Sequence, residues 1–345
     1  MTTASGTATS RAATLHDVAQ EAGVSLATAS RVLNGSTRRV ADAYRERVEA
    51  AAAKLGYAAN LSAQATARGT SATLALLVAD IADPYFSQVA AGAARAADDE
   101  GLVMTIGLTE RAPEREIQLV RALRGQRPRG IVLAASRAEG AHTPALAETL
   151  RAVQATGGRI VTFGEREEGV DSRTVAIDNL GGTRMLAAEL AARGYRDALI
   201  LAAAPGLVTS DDRVDGFTAG FAAAGGRIGR VLRGSLSRDS GYDLMREALA
   251  EGVEPGTLVF GLTDVIAFGA MSAVRDAGRS VGSDIAVAGF GDIAAGRDIV
   301  PALTTVRAPL DRLGQLAVRA VVDDDWTDPD PLPLEVIVRE STPAR

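Results

Sequence analysis

The stretch TLHDVAQEAGVSLATASRVLNG, Thr14–Gly35, decides how the rest of the 345-residue chain is read. Thr14 is placed to cap a helix, with Asp17 three residues on in the capping-box position. Leu15, Val18, Ala19 and Ala22 then recur at i, i+3, i+4 and i+7, which puts them on one apolar face. Gly23 ends that helix at little cost, because a left-handed residue without a Cβ meets no steric penalty. Ser25 caps a second helix in which Ala29, Val32 and Leu33 repeat the apolar spacing, and Gly35 stops it. Two short helices on either side of a glycine turn form a helix-turn-helix. The second has no acidic residue and carries Ser25, Thr28, Ser30 and Arg31 off its apolar stripe. Small hydroxyls and one arginine suit a helix whose N-terminal end lies in the major groove of DNA.

Working outward, Arg38 and Arg39 follow in a loop placed to meet phosphates. A third helix spans about Asp42 to Leu55, turning Val48, Ala51, Ala52 and Leu55 inward before Gly56 stops it. Residues 1–70 hold eight basic and five acidic side chains, a balance of +3 in a chain of net charge −6, which leaves −9 for the remainder. A basic head on an acidic body is what phosphate contact asks of one module and solubility of the other. The head (14–58) buries little surface, so its stability is expected to be marginal. Residues 1–13, small and polar, read as a disordered lead-in, and 59–72 as a linker of weak helical propensity.

From residue 73 to the end, short apolar runs alternate with Ala- and Leu-rich stretches of helical period. The runs are TLALLVA (73–79), LVMTIGL (102–108), GIVLAA (130–135) and RIVTFG (159–164), then TVAID (174–178), ALILAA (198–203), RIGRVL (227–232), TLVFG (257–261) and IAVAGF (285–290). Continuous apolar strands separated by helices imply parallel sheets covered on both faces, and two such series imply two similar doubly wound lobes.

Several classes of activity are excluded on residue grounds. The chain has no cysteine, hence no disulfide framework, thiol nucleophile or Cys-ligated zinc. Its two histidines, His16 and His142, are far apart, which opposes a histidine metal site or triad. No G-x-G-x-x-G follows a strand, and neither a P-loop nor a G-x-S-x-G is present, so an enzyme, a cofactor and a metal are not expected. No run approaches membrane-spanning length, and MTTASGTATSRAAT lacks the apolar centre of a signal peptide, so a cytoplasmic location is expected. A solute-binding protein with no DNA role fits the lobes but is opposed by the helix-turn-helix.

DVAQEAGVSLATASRVLNG resembles the N-terminal signature of the lactose-repressor (LacI) family of bacterial transcription regulators, and YRERVEAAAAKLGY resembles its third helix. The resemblance continues through DPYF (Asp83–Phe86), VAIDNLGG (Val175–Gly182), DRVDGF (Asp212–Phe217), VFGLTDVIAFGAMSAV (Val259–Val274), GFGD (Gly289–Asp292) and PALTTVRAP (Pro301–Pro309). It implies a small all-α helix-turn-helix head on an α/β core like periplasmic binding proteins. The chain would cross between lobes near residues 164, 305 and 324, giving an N-terminal lobe of about 73–164 and 306–324 and a C-terminal lobe of about 165–305 and 325–345. It further implies a repressor that binds a near-palindromic operator as a homodimer and takes a small molecule, of carbohydrate type, in the interlobe cleft. No leucine heptad is appended, so a tetramer by that route is not expected.

The resemblance assigns DNA contacts to Ser25, Leu26, Ala27, Thr28, Ser30, Arg31 and Arg38, and places Thr66 where the family's hinge carries a minor-groove leucine. Thr66 is smaller and more polar than leucine, and Ala59 replaces the usual proline, both of which oppose strong central kinking. In the cleft it points to Tyr85 and Phe86 for stacking, to Arg213 of the R-x-x-G-F motif, to Thr209 four residues earlier, and to Thr263, Asp264 and Gly291. Asp264 matches an acid that more often caps the following helix than touches ligand. Three departures stand out: Thr263 for an asparagine, Gly291 for an aspartate, and Leu236 for an aromatic residue. Each removes a polar or stacking group, which implies a less hydroxylated or weakly bound effector, or none.

Overall fold

The computed structural model describes residues 13–33, 40–57, 71–135 and 143–345. Gly35, Arg38, Arg39, Thr66 and His142, with nearly all of the lead-in and linker, lie outside the described residues. The chain divides into two units, Met1–Ser71 and Ala72–Arg345.

The first unit holds α1 (Leu15–Ala22), α2 (Leu26–Leu33) and α3 (Asp42–Leu55). The capping box at its start is complete. Thr14 Oγ1 accepts the Asp17 N–H at 3.3 Å, and Asp17 Oδ2 accepts the Thr14 N–H at 2.8 Å. Gly23 ends α1 in the left-handed conformation, φ +64°. Ser25 Oγ accepts the Thr28 N–H at 3.1 Å and so caps α2. Small side chains fill the centre: Val18, Ala29 and Val48 are fully buried beside Ala19, Ala22, Ala51 and Ala52. Arg47 of α3 donates to the carbonyls of Ala22 and Gly23, meeting acceptors that the end of α1 leaves unpaired.

The second unit contains two sheets. The first runs β2-β1-β3-β4-β5 and is parallel throughout: β1 (Thr73–Val78), β2 (Val103–Leu108), β3 (Gly130–Leu133), β4 (Arg159–Phe163) and β5 (Ser172–Val175). Helices α4 (Pro84–Asp99), α5 (Pro113–Arg124) and α6 (Pro144–Gln154) connect its strands. Alternate residues of β1 enter different clusters, Leu74 and Leu76 on one face and Ala75 and Leu77 on the other. That division is what a sheet covered on both sides requires.

The second sheet runs β11-β10-β9-β8-β6-β7. Its strands are β6 (Asp197–Ala203), β7 (Arg227–Gly234), β8 (Leu258–Gly261), β9 (Ala286–Gly291), β10 (Thr304–Arg307) and β11 (Glu335–Ile337). Helices α7 (Asn179–Ala192), α8 (Val208–Ala223), α9 (Arg238–Glu251), α10 (Asp264–Asp276) and the short α11 (Ala295–Asp298) accompany them. Without β11, which is antiparallel to β10, the order repeats that of the first sheet. The second unit is therefore two lobes of one topology. Two strands, β10 and β11, were absent from the nine apolar runs, being short and rich in polar residues.

One crossing differs from expectation. TVAID does not open the second lobe: Ser172–Val175 still pairs with Ile160–Phe163 as the last strand of the first sheet, so the chain leaves that sheet after Val175 rather than near residue 164. The reason is pairing, since an exposed edge on β4 offers the ladder that this segment fills. The chain returns after β10 through α12 (Leu310–Val322), which packs on α4. That packing needs glycine on both partners. A Cβ at Gly92 would lie 2.1 Å from the Asp311 carbonyl oxygen, and one at Gly314 would lie 2.1 Å from that of Val89.

Candidate functional site

On the head, α2 turns Ala29 into the core and leaves Ser25, Leu26, Ala27 and Arg31 exposed, with Thr28 and Ser30 half-buried. Leu26 is 50% exposed, an apolar side chain held in water at the first position of the helix. The hydroxyls are less available than the sequence implies. Ser25 Oγ caps α2 and lies 2.8 Å from Thr28 Oγ1. Leu26, Ala27 and Arg31 are the side chains this face presents outward.

In the second unit, residues from ten separate stretches meet in a cleft of about 910 Å³, counted out to its open mouth. Tyr85, Phe86, Thr209, Arg213, Thr263, Asp264 and Gly291 all line it. They come together because each sits at the carboxyl end of a strand or the first turns of the helix that follows, where open α/β sheets leave a crevice. Asp83 caps α4 by accepting the Tyr85 N–H at 3.0 Å, and so fixes the start of the helix that carries both rings. Those rings meet edge to face, 5.1 Å apart at 83°.

Arg213 forms the polar wall. It is 4% exposed; Nε donates to Asn179 Oδ1 and Nη1 to the Leu262 carbonyl, each at 2.9 Å. Its guanidinium lies 3.7 Å from the centroid of the Phe290 ring, a cation–π contact. Burial pushes its pKa down to about 10, opposed by the nearby Tyr85, Asp264 and Asp83, so it remains a cation at neutral pH. Among the described residues, its Nη2 amino group has no hydrogen-bond partner. Neither has Ser210 Oγ, one residue after Thr209 on α8, although Ser210 is only 1% exposed. A buried hydroxyl left unpaired costs about 1–3 kcal/mol.

The opposite trend holds at two of the three departures, Thr263 and Gly291. Thr263, not Asp264, caps α10, its hydroxyl accepting the Ile266 N–H at 3.4 Å. Asp264 is one position too far along to cap. Its carboxylate turns instead to the neighbouring strands, Oδ1 accepting the Thr305 hydroxyl at 2.6 Å and Oδ2 the Ile293 N–H at 2.9 Å. Burial raises the Asp264 pKa to about 6, against the lowering effect of those hydrogen bonds. Gly291 has φ +139°, and a Cβ there would lie 3.3 Å from Asp264 Oδ2. An aspartate at 291 would thus combine a strained backbone with a second carboxylate beside the first. Asp292, next in the chain, is committed elsewhere. Although burial pulls its pKa up, hydrogen bonds from Arg307 and Arg339 outweigh that and hold it below the usual range.

Sequence reading missed Asp83, Arg111, Phe163, Asn179, Ser210 and Phe290 as cleft residues. Phe163 and Phe290 stand at strand ends, the one signal that marked them. Arg111 was hidden in a turn whose backbone is left-handed at both Glu110 and Arg111, which brings its guanidinium 5.9 Å from the Phe86 ring.

Residues 14–60 match the family described as Bacterial regulatory proteins, lacI family, and residues 187–342 match the Periplasmic binding protein-like domain. The HTH-type transcriptional regulator CelR of Thermobifida fusca is 31% identical over 343 residues, covering 96% of this chain and 98% of its own. The structure of the Lac repressor dimer bound to operator and the anti-inducer ONPF superposes with a TM-score of 0.82 at 27% identity, covering 97% of this chain and all of that one. A transcriptional regulator CelR–cellobiose complex gives 0.68 at 30% identity over 95% of this chain and 99% of that one. Among the described residues, no helix is long and apolar enough to cross a membrane.

Proposed function

The chain belongs to the LacI family of bacterial regulatory proteins, transcription regulators with an effector-binding domain, and we propose that it is a cytoplasmic repressor. It binds a near-palindromic operator as a homodimer and responds to a sugar or sugar derivative in the cleft. The observation that carries the reading is the outward face of α2, where Leu26, Ala27 and Arg31 are exposed on a helix free of acidic residues. Leu26 and Ala27 meet thymine methyls, Arg31 reads a base edge, Ser25 faces the bases with them, and Thr28 and Ser30 lie nearer phosphate. Arg38 and Thr66, outside the described residues, belong to the same reading as a phosphate contact and a hinge residue.

A two-fold symmetric protein requires a two-fold symmetric site, its half-sites one or more helical turns apart. In the cleft, Tyr85 and Phe86 supply flat apolar surface and Arg213 supplies donors, with Thr209, Thr263, Asp264 and Gly291 shaping the same wall. The described cellobiose complex of a CelR regulator supports a carbohydrate-type ligand. Ligand acts by binding one lobe arrangement better than another, and the operator affinity shifts by that difference.

Selection of binding sites from random duplexes, followed by titration of the best site against sugars, tests this. A palindrome whose affinity moves with one sugar supports the whole reading. A palindrome that no sugar perturbs removes the effector part, and no enriched site removes the regulator.

A further inference from the structure

Two polar side chains that line the cleft keep hydrogen-bonding capacity unused. Ser210 and Arg213 are three residues apart on α8, hence on one face of the helix, and both line the cleft. Ser210 is 1% exposed and its Oγ has no hydrogen-bond partner among the described residues, while Arg213 has engaged Nε and Nη1 and keeps Nη2. Three positions that would otherwise read neutral hydroxyls are committed elsewhere or lack a side chain. Thr263 Oγ1 caps α10, both oxygens of Asp264 accept hydrogen bonds, and Gly291 has no side chain. Among what the wall still offers are the two N–H groups of Arg213 Nη2, on a buried cation, and the Ser210 O–H on the same helix face, next to an aromatic surface that includes Phe290.

We propose that the ligand of this cleft carries a carboxylate, held by Arg213 Nη2 and Ser210 Oγ, with its carbon body against Tyr85, Phe86 and Phe290. One oxygen accepts the guanidinium N–H and the other accepts the serine O–H, so both unpartnered groups are satisfied at once and the buried cation gains a counter-charge. Ser210 is then a specificity-determining residue that discriminates an acid from its neutral counterpart. The inference rests on the cleft being an effector site. The body bearing the carboxylate is either a sugar ring or an aromatic ring, since the aromatic wall accepts the flat face of both.

The test is calorimetric titration of the full chain, without DNA. Glucuronate and galacturonate are compared with glucose and galactose, and benzoate with benzamide. The expected result is one acid bound at least tenfold more tightly than its neutral counterpart, with that preference erased in Ser210→Ala. Which acid binds identifies the body. Unliganded Ser210→Ala is expected to melt no lower than the parent, because its hydroxyl has no bond to lose; a lower melting point would show that Oγ has a structural partner and overturn the proposal. Neutral compounds bound as tightly as their acids, no acid bound, or an acid preference unchanged in Ser210→Ala would each overturn it too. Failure of the regulator reading is separate: it is read by operator selection, and a chain that selects no operator but prefers an acid keeps this proposal and loses that one.

Discussion

The head and the cleft use their polar side chains in opposite ways. In the head, hydroxyls are engaged in starting helices: Thr14 with Asp17, and Ser25 with Thr28. What α2 leaves outward is an apolar pair and an arginine. In the cleft, a buried arginine keeps one amino group and a buried serine keeps its hydroxyl. A small three-helix unit with a core of alanines and valines has little stability to lose, so its hydrogen bonds go to local structure. The larger unit, with two covered sheets, tolerates an unpaired hydroxyl where a ligand would pair it.

Four substitutions break or sharpen that comparison, the largest effect first. Arg213→Met leaves Asn179 Oδ1 and the Leu262 carbonyl without their donor, and is expected to lower the stability of the effector core by about 3 kcal/mol in urea denaturation. A change near zero would mean that the guanidinium serves ligand alone. Asp264 comes next. Its folded pKa of about 6 lies above the ordinary value of 3.8, so the folded state binds the proton more tightly than the unfolded one. The contribution of Asp264 to stability is therefore lowest above pH 6 and is regained as pH falls from about 6 towards 4, by on the order of 2–3 kcal/mol. Asp264→Asn removes that rise, and equal slopes in parent and variant between those pH values would show that the carboxyl ionises without cost.

On the head, Arg31→Ala is expected to weaken operator binding by about 1–3 kcal/mol and to relax specificity at one base pair. A uniform loss over all sequences would make Arg31 a phosphate contact. Ser25→Ala is the smallest, costing about 1 kcal/mol of head stability through the lost cap. Amide exchange in α2 reads it, and unchanged exchange would return the hydroxyl to the DNA-facing set.

Local chemistry was legible, and pairing over distance was not. The capping box, the left-handed Gly23 and the span of α3 follow from neighbours within four residues, and each was readable from the chain. The two-lobe architecture was also visible, because apolar runs and helical stretches alternate twice. The sheet to which Ser172–Val175 belongs was not, since a short β-rich segment carries no mark of its partner. The cleft divides the same way. Residues in recognisable motifs, such as Arg213 before Gly216 and Phe217, were found. Ser210 was not, because it looks like any helical serine until the packing around it shows that no acceptor or donor reaches it.

The chain passes between the two sheets three times, and two of the passing segments touch: the Leu332 N–H donates to the Ala176 carbonyl at 2.8 Å beside the Ile177–Leu332 bridge. Every strand belongs wholly to one sheet. Mechanically, the effector core is two stiff plates on a narrow strap. Stretching either plate would break ladder hydrogen bonds, whereas bending the strap alters a few backbone angles and leaves both ladders whole.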